Sequence, residues 1–63
     1  MHEILKKYVG KTLRIYTISG VESYLGTLEE VHEGYIRLTQ TFSKDTTFLA
    51  TQYIESFKEE TRK

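Results

Sequence analysis

Two hydrophobic periods divide this chain. From His2 to Val9 the apolar residues Ile4, Leu5, Tyr8 and Val9 recur at helical spacing, with Glu3, Lys6 and Lys7 on the other face, and Gly10 follows as a helix terminator. A helix this short does not persist alone in water, so its apolar stripe must dock on a larger body.

After Gly10 the period becomes two. Lys11 to Ile18 sets Leu13, Ile15 and Thr17 on one face and Arg14, Tyr16 and Ile18 on the other, and Ser19-Gly20 supplies turn chemistry. A second strand runs from Tyr24 to Val31, with Gly26 inside it marking a sharp bend or a close backbone approach. His32-Glu33-Gly34 reads as a turn. Tyr35 to Phe42 alternates again, with Ile36, Leu38 and Phe42 expected on a common core face. Ser43-Lys44-Asp45 is a tight connection, Thr46 to Ala50 a fourth strand, and a short fifth strand carries Ile54 and Phe57. No proline interrupts these ladders. The pattern predicts one all-β domain over residues 1–63: a helix at 1–9, a small five-stranded, strongly bent barrel at 11–58 and a tail at 59–63.

Composition narrows the classes. A chain of 63 residues buries only about 60% of the surface exposed when unfolded. It has no cysteine, so neither disulfides nor thiolate-bound zinc can staple it, and burial between subunits is the remaining common aid. Nine basic residues balance nine acidic ones, so any basic patch must be local, around Lys6, Lys7, Lys11 and Arg14 or around Lys58, Arg62 and Lys63. Scattered charge of this kind is otherwise simply how small domains stay soluble. No apolar run approaches membrane-spanning length and the first residues lack secretory features, so a cytoplasmic location without membrane contact is expected.

Two segments carry a family likeness. Tyr24-Leu25-Gly26-Thr27-Leu28-Glu29-Glu30-Val31-His32 resembles the first motif of the Sm-like family (Sm, Lsm and Hfq-like proteins), and Leu49-Ala50-Thr51-Gln52-Tyr53-Ile54-Glu55-Ser56-Phe57 is similar to the second. With the leading helix and the Gly10-to-Ile15 segment, the likeness spans nearly the whole chain. The resemblance implies an Sm-like (SH3-like) barrel and a homo-oligomeric ring of five to seven subunits. In such a ring the fourth strand of one subunit pairs with the fifth of the next, and single-stranded RNA binds at the pore. The family's RNA-gripping residues are mostly replaced: His32 stands where the pattern has aspartate, Tyr35 near the position of the base-holding asparagine, and Ala50-Thr51 in place of Arg-Gly. The Tyr-Lys-His run of the bacterial branch is likewise not reproduced by Phe48-Leu49-Ala50.

The candidate RNA-binding residues are therefore Tyr35, His32, Arg37, Thr51 and Gln52. Tyr35 offers an aromatic face to a base, although tyrosine also serves strands by packing. Arg37 shares its face and can meet phosphate or simply stand in solvent. His32 can stack or bond at a pore, or be an ordinary turn residue. Gln52 can both donate to and accept from a base edge, and Thr51 stands beside it on what is otherwise a polar turn. Gly26 and Gly10 are assigned to backbone geometry. Neither histidine has metal-ligand company, no cofactor motif is present, and the adjacent pairs Glu29-Glu30 and Glu59-Glu60 read as solvated charge, so neither a metal site nor an enzyme is expected. The competing function is a protein-interaction or assembly module with the same fold that has lost the RNA site.

Overall fold

The computed structural model describes residues 2–20 and 22–60, with the side chain of His2 excepted. The tail at 61–63, with Arg62 and Lys63, lies outside the described residues. The elements run α1 (His2–Leu5), a 3-10 turn (Lys6–Tyr8), β1 (Thr12–Thr17), β2 (Ser23–His32), β3 (Tyr35–Gln40), β4 (Thr46–Ala50), a second 3-10 turn (Thr51–Tyr53) and β5 (Ile54–Glu59). All strands form one antiparallel sheet in the order β4-β3-β2-β1-β5.

The expected helix divides into one α-helical turn and one 3-10 turn. Gly10 ends it with φ +90°, a conformation L side chains rarely adopt, and its N–H donates to the Leu28 carbonyl at 2.7 Å. Leu5 docks this segment, being fully buried among the strand residues. Burial of a leucine contributes about 1.5–3 kcal/mol, which a helix too short to hold itself requires.

Leu13 and Ile15 of β1, Leu28 of β2, Ile36 and Leu38 of β3, Leu49 of β4 and Ile54 of β5 complete the core. Leu49 and Ile54 come from opposite edges of the sheet yet meet one cluster, so the sheet curls around its own inner face. Thr17, also fully buried, satisfies its hydroxyl by donating to the Glu22 carbonyl at 3.1 Å.

Three features permit the curl. At Gly26 a Cβ would overlap the Thr39 carbonyl oxygen and lie 2.9 Å from its carbon, so β3 passes where only a bare Cα fits. Register shifts between Leu28 and Glu30 on β2, and opposite Tyr16–Thr17 on β5, each insert an extra residue, Glu29 and Glu55. The inserted residue returns Leu28 and Val31, and likewise Ile54 and Phe57, to the core side although each pair is three positions apart.

Three expectations change. Phe42 does not share the core face of Ile36 and Leu38: β3 ends at Gln40, the Lys44 N–H donates back to the Gln40 carbonyl at 3.0 Å, and Phe42 sits on the turn 82% exposed. His32 is the last residue of β2 rather than a turn residue, and β5 extends through Glu59, which had been assigned to the tail.

Candidate functional site

The β2–β3 hairpin fixes the geometry of the site. His32 pairs with Tyr35 and Glu30 with Arg37, and β4 places Ala50 opposite Tyr35 and Phe48 opposite Arg37. Alternation turns Ile36 and Leu38 into the core and leaves Tyr35, Arg37 and Phe48 on the outer face.

The outer face carries an aromatic row. The His32 and Tyr35 rings stack with centroids 4.8 Å apart and planes at 24°. Phe48 follows at 6.2 Å and 56° from Tyr35. Phe48 is 63% exposed and Tyr35 42%, so about half of this aromatic surface meets solvent.

Charge beside the row is negative and largely committed. Arg37 Nη2 donates to Glu30 Oε2 at 2.6 Å, and His32 Nε2 lies 2.7 Å from Glu30 Oε1. The Arg37 bond first, and the His32 bond second, hold the Glu30 carboxyl down at about 2, and the same Glu30 raises the guanidinium's pKa. Glu29, Glu30 and Glu33 surround the hairpin end, whereas Arg37 is the sole cation on β3, β4 and the 3-10 turn after it. An anionic ligand therefore finds an engaged guanidinium here.

Thr51 and Gln52 come to the same end. The Thr51 N–H donates to the Gly34 carbonyl at 3.0 Å, joining the turn after β4 to the β2–β3 turn. Gln52 stands exposed on that 3-10 turn. Glu30 thus joins His32 to Arg37, Tyr35 stacks on His32, and Thr51 is tied to the same hairpin turn with Gln52 next to it in sequence. Arg37 shares the face but is held by Glu30. Sequence reasoning missed Phe48 and Glu30. Phe48 was legible as an outer residue from its alternation with Leu49, whereas Glu30 enters the site through its cross-strand pairing with Arg37.

At the other end of the sheet an open depression is lined by Tyr16, Thr17, Gly20, Glu22, Ser23, Glu55 and Ser56, and Glu22 there already accepts from the Tyr24 hydroxyl at 2.8 Å. Among the described residues no cluster of three or more His, Cys, Asp or Glu has metal-holding geometry, and no helix is long and apolar enough to cross a membrane. Comparison with protein-family models, curated proteins and solved structures finds no match to this chain.

Proposed function

We propose that this chain is an Sm-like module that assembles with copies of itself into a closed ring, and that its main role is in protein assembly. One observation carries the reading: β4 and β5 are both sheet edges, each contributing to a single core while leaving a row of backbone donors and acceptors unpaired. Such edges template pairing with another chain, and ring closure removes them all at once. The small size of the domain and its lack of cross-links favour burial between subunits for the same reason.

The committed charges favour assembly over RNA as the use of the outer face. Phosphate binding needs free cations, and Arg37 is paired with Glu30 beside two further carboxylates. A second reading, capture of single-stranded RNA at the ring's pore, draws support from the solvent-facing His32–Tyr35 stack, with the turn at Thr51 bonded to the adjoining hairpin turn. Light scattering at micromolar concentration tests the assembly: five to seven copies fit the reading and a monomer rejects it. A titration with defined oligonucleotides at low salt, where phosphate contacts are strongest, separates the two uses. Retention of oligonucleotide by the wild-type oligomer would establish the RNA reading.

A further inference from the structure

The outer face of β3 and β4 leaves a row of rings open to solvent. His32, Tyr35 and Phe48 follow one another with centroid steps of 4.8 and 6.2 Å, and Phe48 at the end of the row is the most exposed of the three. Contiguous apolar surface with a charged rim marks an interaction site, whereas single exposed apolar residues do not.

The rim here is one-sided. Arg37 stands in register between Glu30 of β2 and Phe48 of β4, and Glu29 as well as Glu30 stabilises its charge. Glu33, exposed on the turn beside His32, forms no ion pair among the described residues. Three carboxylates thus stand against one guanidinium that is already engaged. Lys44 lies at the far end of the β3–β4 pair, and the other described lysines and arginines precede β2 or belong to β5. The cation that would balance this rim comes from outside the chain.

Spacing narrows what can carry that cation. An extended chain repeats its same-side residues every two positions, about 6.6 Å at roughly 3.3 Å per residue. The Tyr35–Phe48 step of 6.2 Å matches that repeat. A basic residue and an apolar one two positions apart therefore fit the row together, the cation on the ring faces at the carboxylate end and the apolar group on Phe48. A guanidinium both stacks on rings and pairs with carboxylate. Phosphate meets the opposite sign of charge. The chain's own pair of this kind, Phe42 and Lys44, is held on a turn with Lys44 at φ 66°, so a second copy presents it folded and not extended.

Resting on the assignment of this face to protein contacts, we propose that the His32–Tyr35–Phe48 row docks an extended cationic segment of a different protein. A basic residue of that segment lies over the His32–Tyr35 stack beside Glu30 and Glu33, and an apolar residue two positions away seats on Phe48. The contact is made by side chains of the outer face, and it leaves the backbone edges of the sheet out of the recognition.

The probe is a capped, fluorescently labelled peptide carrying arginine and phenylalanine two positions apart in a glycine-serine frame, titrated into the wild-type protein and followed by anisotropy. It should bind saturably, with a dissociation constant on the order of 100 μM, and more weakly in about 1 M salt. Phe48→Ala should weaken the peptide about tenfold, and Glu33→Lys several-fold. Both positions are exposed, and circular dichroism should show both variants folded. The peptide with glutamate in place of arginine should bind several-fold more weakly to the wild type. The chain has no tryptophan, so Phe48→Trp reports position 48 alone. Its emission should be that of an exposed indole without peptide and move to shorter wavelength with it. Emission already at short wavelength in the peptide-free protein means that a second copy covers the row, and overturns the proposal. Equal affinity for the arginine and glutamate peptides, unchanged affinity in Phe48→Ala, or no saturable binding at millimolar peptide overturns it too. Retention of an oligonucleotide that the peptide does not displace gives the face to RNA, with the same result. Light scattering scores the ring separately: a monomer that binds the peptide rejects the ring and keeps the docking site, whereas a ring that ignores the peptide rejects the docking site alone.

Discussion

Arg37 and Glu30 face each other across the β2–β3 pair, with Nη2 donating to Oε2 at 2.6 Å, and the second oxygen of that carboxyl holds His32 at 2.7 Å. One carboxylate thus orders both polar partners of the aromatic row. Its folded pKa of about 2 lies below the ordinary 4.5, so ionised Glu30 favours the folded state.

That contribution is present above pH 4.5 and is lost as pH falls toward about 2. Urea midpoints of the wild type should therefore drop between pH 5 and pH 3 more than those of Glu30→Gln. The group is solvent-facing, so the difference should shrink in 1 M salt. Parallel pH profiles for the two proteins would mean that the ion pair contributes nothing to folding.

Neighbouring residues of β3 should behave oppositely. Ile36 is fully buried, and Ile36→Ala should cost roughly 2–5 kcal/mol in denaturant titration. Tyr35→Ala removes only a half-exposed ring and its stack on His32, a loss of about 0.5–1.5 kcal/mol. If RNA binds the ring, Tyr35→Ala should also weaken that binding by about 1–3 kcal/mol. Comparable destabilisation by both substitutions would reverse the assignment of faces.

Gly26→Val should lower the melting temperature more than Gly20→Ala. A side chain at Gly26 meets the backbone of Thr39 and Gln40, which can yield only by opening the β2–β3 pair, at about 1–3 kcal/mol or more. Gly20 has φ +75° but open space around it, so alanine there carries only the left-handed penalty of about 1–2 kcal/mol. Thermal scans of the two variants decide it.

Leu5 is the fully buried residue of the N-terminal segment, with Tyr8 packed edge-on against Phe57 beside it. Leu5→Ala should cost roughly 2–5 kcal/mol, whereas Ile4→Ala, removing a side chain that is 54% exposed, should fall within about 0.5 kcal/mol of the wild type. Equal effects would indicate that both residues contact the core.

Strand alternation made most of the core legible in the sequence: Leu13, Ile15 and Thr17 share a face as period two requires, and so do Ile36 and Leu38. The same counting failed at Phe42 because it continued past Gln40, where Lys44 at φ 66° turns the chain. Leu28 with Val31, and Ile54 with Phe57, break the period by one residue, and in a strand that break is itself the mark of a bulge. The site was legible as a list of residues but not as a set of partnerships. Arg37 looked available for phosphate because its commitment to Glu30 depends on cross-strand register, which composition does not reveal.

The two open edges are also neighbours in sequence, separated only by Thr51–Tyr53, so the chain leaves one side of the sheet and must find the other. The β2–β3 hairpin closes over two residues, whereas the β1–β5 ladder joins residues roughly forty positions apart, such as Thr17 and Ile54. Loop-closure entropy makes the hairpin the fast event and the β5 ladder the slow one. Until β5 arrives, β1 presents an unpaired edge of its own, exposed to the wrong neighbour. A nascent copy is then open to capture by strand exchange, and the speed of this last pairing sets how long that exposure lasts.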